Sequence, residues 1–158
     1  DEAMSEFARL HAYRCTPEEK GKLEELIFGV RADGTNCAGA KLNPAVVGQS
    51  PQWIAEKAGF TVPADTSIIL AEVSEVGPAE PLTREKLCPV LAVLRAESTE
   101  HGMQLAERMV EFDGLGHSAA IHCEDKDLVE EYGSRGNAVR VIWNSPSSQG
   151  GIGDIYNA

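Results

Sequence analysis

Residues 118–143, SAAIHCEDKDLVEEYGSRGNAVRVIW, decide the fold class. Ser118–His122 reads as a strand, Asp125 to about Ser134 as a helix, and Ala138–Trp143 as a second strand. Two strands joined through a helix run parallel, because a crossover returns the chain to the same edge of the sheet. Upstream, a helix is predicted from about Ser98 to Phe112, with Met103, Leu105, Ala106 and Met109 available to pack. Before it stand two apolar runs, Ser67–Val73 and Pro89–Leu94, rich enough in Ile, Leu and Val to be strands buried on both faces. Strand, helix, strand, helix, strand with short connections predicts an α/β domain with a parallel sheet and right-handed crossovers.

The N-terminal part is more helical. Met4, Phe7, Ala8 and Leu10 recur at helical spacing, which predicts an amphipathic helix through about Tyr13. Thr16-Pro17-Glu18-Glu19 offers an N-cap, a proline at the first helical position and a glutamate at the third, and Leu23, Leu26 and Ile27 continue that helix toward Gly29. Residues 32–43 read as loop, followed by a short apolar run at Ala45–Val47; Ser50-Pro51 then caps a short helix that Gly59 stops. Neither an internal repeat nor a linker divides the 158 residues, so one domain, 1–158, is expected.

Charge and composition exclude several function classes. Acidic residues outnumber basic ones 25 to 14, for a formal charge of −11, and no basic stripe could neutralise phosphates, so nucleic acid is not an expected partner. No apolar run approaches the roughly 20 residues that span a bilayer, and the opening DEAMSEFARL lacks the order of a leader peptide. A soluble, cytoplasmic protein that binds no membrane is expected. Four cysteines (Cys15, Cys37, Cys88, Cys123) are widely spaced without a CxxC pair, which favours reduced thiols and gives no expectation of a metal.

Each motif has a plain alternative. Gly114-Leu-Gly-His-Ser-Ala119 imitates a dinucleotide fingerprint, yet a helix precedes it and a strand follows, the reverse of the required order. A glycine-terminated helix turning into a strand explains both glycines. His122 and Cys123 are neighbours that would point to opposite faces of a strand. Cys88 has Arg84 and Lys86 nearby, a loose version of the basic setting that activates a thiol, and a core or loop thiol is the plainer reading. The terminal Gly150-Gly-Ile-Gly-Asp154 lacks the lysine of a P-loop and carries an aspartate that would repel phosphate, which leaves a permissive loop after a sheet strand.

Taken together, Glu85-Lys-Leu-Cys-Pro89, Gly114-Leu-Gly-His117-Ser118 and Asn144-Ser-Pro-Ser-Ser-Gln-Gly-Gly-Ile-Gly-Asp154 resemble the catalytic domain of CoA-acylating aldehyde dehydrogenases, and Asn43–Gln49 and Ile54–Phe60 fit the same family. The resemblance implies a three-layer α/β/α fold with a mostly parallel sheet. It implies a reaction in which a cysteine thiolate attacks the aldehyde, hydride passes to NAD, and the thiol of coenzyme A takes the acyl group from the enzyme thioester. By that likeness Glu85 and Leu87 contact the nicotinamide and its ribose, His117 is a catalytic residue for proton transfer at the CoA stage, and Ser147, Ser148, Gln149, Gly150 and Gly151 form the loop that approaches the substrate. Leu87 and Cys88 stand where many family members carry Phe and Gly.

The same likeness places the nucleophilic cysteine shortly before the first helix, a context that neither Cys15 nor Cys37 has. It therefore implies a fragment, inactive alone, that lacks the NAD-binding domain and a C-terminal segment. The partners implied are an aldehyde and an acyl-CoA, in a homo-oligomeric parent that is cytoplasmic or enclosed in a bacterial microcompartment. Two other readings stand beside this one: a non-catalytic binding or assembly module that keeps the fold, and a small enzyme pairing Cys88 or Cys123 with His117 or His122.

Overall fold

Among the described residues the chain forms five short α-helices and five short strands. The computed structural model describes residues 2–29 and 41–148. These fall in two compact units, Asp1–Arg95 and Ala96–Ala158.

In the first unit the order is α1 (Glu2–Arg9), β1 (Ala12–Arg14), α2 (Pro17–Phe28), α3 (Pro51–Ala58), β2 (Ile68–Glu72) and β3 (Val90–Val93). All pairings are parallel, in the order β1-β2-β3, with Tyr13 opposite Ile69 and Ile69 opposite Val90. Alternation along β2 sends Ile69 and Ala71 into a core with Leu23, Ile27 and Phe28 of α2 and Ile54 and Ala55 of α3. Leu70, between them, is buried as well, so β2 is covered on both faces. β3 departs from expectation: Val90 is buried but Leu91 is 38% exposed.

The helix predicted through Tyr13 ends at Arg9, and its last residues form a strand instead. His11 turns the chain at φ 62. Ser67 secures the turn, its N–H donating to His11 O at 3.0 Å and its hydroxyl to Leu10 O at 2.6 Å. α2 follows its caps closely. Glu19 N–H donates to Thr16 Oγ1, Thr16 N–H donates to Glu19 Oε2, and Gly29 closes the helix at φ 67. The β2–β3 connection carries no α-helix; it is knit by Glu80, a buried carboxylate that accepts from Ser74 N–H and Ser74 hydroxyl at 3.1 and 3.0 Å and from Lys20.

The second unit runs α4 (Thr99–Met109), a wider turn at Val110–Gly114, β4 (Ser118–Ile121), α5 (Lys126–Arg135) and β5 (Arg140–Trp143). β4 and β5 pair in parallel, Ser118 opposite Arg140 and Ile121 opposite Trp143, as the quoted stretch predicts. Ser98 and Asp125 cap the two helices. Only Met103, Leu105 and Ile142 are buried apolar residues among those described, whereas Leu115, Val139 and Trp143 are 66%, 73% and 44% exposed. Arg135 of α5 binds Glu100 and Glu107 of α4 at 2.7 and 2.6 Å and Glu131 on its own helix at 3.1 Å. Both units are thus α/β with parallel strand pairing, the expected fold class.

Candidate functional site

A parallel sheet has two unlike edges, and the sequence-predicted site residues divide between them. At the amino edge of the first unit, Glu85 and Leu87 lie on the segment entering β3, both exposed. Leu87 adopts φ 50, a conformation that costs a branched side chain energy, and its carbonyl accepts Gly48 N–H at 3.0 Å. Lys86 reaches back to donate to Leu82 O and Arg84 O at 2.6 and 2.9 Å. The backbone around Leu87 is therefore held, and an exposed carboxylate sits two residues from an exposed apolar side chain. Such a pair can accept hydroxyl groups with one member and cover an aromatic ring with the other.

At the carboxyl edge of β1 and β2 the structure shows a cleft of about 710 Å³ that includes Arg14, Cys15, Lys20, Glu72, Ser74 and Glu80 in its lining. Motif reading misses it, because a helix expected through about Tyr13 hides the strand that ends at Arg14. Its charges are compensated within the protein: Arg14 pairs with Glu72 at 2.7 Å, and Lys20 pairs with Glu80.

In the second unit, His117 occupies the amino edge, exposed, just before β4. Two glycines deliver it there. A Cβ on Gly114 would meet Met109 O at 3.1 Å, and Gly116 turns at φ 89. The His117 N–H donates to Gly114 O at 3.0 Å, and its carbonyl accepts Val139 N–H at 3.1 Å. Ser147 and Ser148 follow β5 and so leave from the opposite, carboxyl edge. Four strand residues lie between the two edges, roughly 13 Å of chain. Within this unit His117 and the two serines are therefore not brought together. Gln149, Gly150 and Gly151 lie outside the described residues.

Two of the thiols sit in settings that disfavour the thiolate. Burial pushes the Cys15 thiol up to about 11, and burial also raises Cys88, against the pull of Lys86. A thiol held protonated is a poor nucleophile near neutral pH. Cys88 packs against the core of the first unit, in keeping with the plainer reading of it. Cys123 lies just past β4, its Sγ accepting Asp125 N–H at 3.3 Å. Among the described residues no group of three or more His, Cys, Asp or Glu could hold a metal ion, and no helix is long and apolar enough to cross a membrane.

No family model matches the chain. Individual proteins do. The chain is 59% identical over 158 residues to the aldehyde-alcohol dehydrogenase of Streptococcus pneumoniae, covering 100% of this chain and 18% of that protein. It is 55% identical over 157 residues to aldehyde-alcohol dehydrogenase 2 of Entamoeba histolytica, with 99% and 18% covered. The crystal structure of an acetylating aldehyde dehydrogenase from Geobacillus thermoglucosidasius superposes with a TM-score of 0.85 at 36% identity, over 96% of this chain and 32% of that one. The chain thus spans less than a fifth of these curated relatives and about a third of the solved structure. Matched along its whole length to one segment of such enzymes, in sequence and in fold, the chain belongs to the acylating aldehyde dehydrogenase family.

Proposed function

We propose that the protein carrying this chain interconverts a short aldehyde and its acyl-CoA through a cysteine thioester, with NAD as the redox cofactor and coenzyme A as co-substrate. The observation that supports this most is the 59% identity along all 158 residues to an aldehyde-alcohol dehydrogenase. Both units are read as parts of one partial catalytic domain.

The residues present suit a nicotinamide dinucleotide at the amino edge of the first sheet. NAD, when bound, supplies the hydride acceptor. Glu85 would accept the ribose hydroxyls, and Leu87, fixed at φ 50, would cover one side of the ring. His117, exposed at the amino edge of β4 and so across the sheet from Ser147 and Ser148, would serve proton transfer at the coenzyme A stage, before the thiol reaches the acyl group. Ser147, Ser148, Gln149, Gly150 and Gly151 would form a wall beside the acyl group. Cys15 and Cys88, both kept protonated by burial, are not the nucleophile in this reading, and the chain alone is inactive. The whole protein is read as a cytoplasmic or microcompartment homo-oligomer.

The test is a spectrophotometric assay of the full-length protein with acetaldehyde, NAD and coenzyme A. Reduction of NAD that requires all three is expected, together with at least a tenfold loss of kcat/KM in His117→Ala. Sustained reduction without coenzyme A, or by the 158-residue chain alone, would contradict the proposal.

A further inference from the structure

The chain leaves β5 through Asn144, a residue other than glycine held in the left-handed region at φ 47. Asparagine tolerates that region better than most residues, but tolerance does not explain what its side chain does there. Its amide pairs with both backbone groups of Cys123: Cys123 N–H donates to Asn144 Oδ1 at 2.9 Å, and Asn144 Nδ2 donates to Cys123 O at 3.0 Å. One step earlier, Asn144 N–H donates to Ile121 O at 3.0 Å. The ladder between β4 and β5 therefore continues by one more rung, built from a side chain after the backbone has turned away.

Neighbouring groups close the arrangement. Trp143 Nε1 donates to the same Cys123 carbonyl at 2.8 Å, and Asp125 N–H donates to Cys123 Sγ at 3.3 Å. Cys123 is thus fixed by α5's cap on one side and by the exit of β5 on the other. If the turn required only a positive φ, glycine would serve at no steric cost. A paired amide adds something glycine cannot, namely a fixed direction for the bond that leads into Ser145.

We propose that Asn144 is a positioning residue: by pairing with the Cys123 backbone it fixes the direction in which the chain leaves the sheet, so that Ser147 and Ser148 meet the acyl group in one orientation. The catalytic part of this rests on the function proposed above; the conformational part does not. Aligned positioning groups are worth large factors, since a displacement of about 1 Å costs on the order of 100-fold in rate.

Two variants of the full-length protein, Asn144→Gly and Asn144→Ala, separate positioning from stability. Both lose the paired amide, but only alanine also suffers the left-handed backbone. Glycine is expected to recover most of the thermal midpoint that alanine loses. In both variants the Cys123 amide, which loses its Asn144 acceptor, and the neighbouring amide of residue 144 should exchange about tenfold faster or more, from the loss of two hydrogen bonds. kcat should fall about tenfold in both while the aldehyde KM stays within about threefold. Recovery of kcat along with the midpoint in Asn144→Gly would overturn the proposal, as would unchanged exchange at Cys123 and at residue 144. Were the wild-type protein to show no CoA-dependent reduction at all, the proposed function would fall, and the exchange measurement would still decide the role of Asn144.

Discussion

The two units use the same parallel pairing but are held by different forces. The first surrounds β2 with apolar side chains: Leu23, Ile27, Ile54 and Ile69 are each 0% exposed. The second buries Met103, Leu105 and Ile142, leaves no residue of α5 buried, and ties α4 to α5 through the Arg135 guanidinium and two α4 carboxylates, with Glu131 of α5 itself as a third partner. Apolar burial involves no titrating charge and is not weakened by screening, whereas a partly exposed ionic clamp responds to both pH and salt. The unit that carries His117, Asn144 and the serines is therefore the one whose cohesion acid and screening salt weaken more.

The comparison breaks most directly at the cores. Ile69→Ala removes a side chain enclosed by α2, α3 and β3, and the expected loss is about 2–5 kcal/mol, the range for large-to-small changes at buried aliphatic positions. Ile142→Ala, at 6% exposure beside a thinner core, should fall at or below the lower end of that range. Urea unfolding of the full chain with one reporter in each unit measures both. Equal losses would mean that the second unit is packed as well as the first.

Arg135→Gln comes next. It leaves Glu100 and Glu107 of α4 facing Glu131 of α5 with no cation between them, and should lower the midpoint of the second unit while sparing the first. Raising salt to about 1 M, where the screening length is about 3 Å, should narrow the gap between variant and wild type. Acid should narrow it too. Hydrogen bonding from Arg135 lowers the Glu100 carboxyl from its ordinary 4.5 to about 2. A carboxylate whose folded value is depressed contributes stability that is fully present above the unfolded value and disappears as pH falls through the folded one. The wild-type advantage should thus shrink between about pH 4.5 and about 2, the interval that the Glu100 values bracket. A gap constant in both salt and pH would show that packing, and not the ion cluster, joins these helices.

How far these features could be read from the sequence follows from their range. α2 was legible because its signals are local: Thr16, Pro17 and Glu19 at one end and Gly29 at the other satisfy the terminal backbone groups within a few residues. The strand at Ala12–Arg14 was not, because three residues are too few to show alternation, and Tyr13 also continues the helical spacing of Met4, Phe7 and Leu10. The turn that separates them falls at His11, with no glycine to mark it. Glu85, Leu87, His117 and Ser147 are singled out by likeness to a family and not by geometry, since nothing local tells which edge of a sheet a residue will occupy. Asn144 is quoted within a motif, but its pairing with Cys123 is not legible there. Its partner lies 21 residues earlier, and the pairing exists only once β4 and β5 have aligned.

Helix caps give the smallest effect and the finest test of the contrast, because the chemistry is nearly the same in both units. Thr16→Ala removes the acceptor for Glu19 N–H on α2, and Asp125→Ala removes the acceptor for Asp127 and Leu128 N–H on α5. Each should cost about 0.5–2 kcal/mol. The consequences should nevertheless differ in extent. α2 is anchored by Leu23, Ile27 and Phe28, so the loss is confined to faster amide exchange in its first turn. α5 buries none of its residues, so the same free energy is a larger share of what holds it, and exchange should rise along the whole helix from Lys126 to Arg135. If both helices lost protection only in their first turns, the Arg135 clamp would be anchoring α5 as firmly as three buried apolar side chains anchor α2.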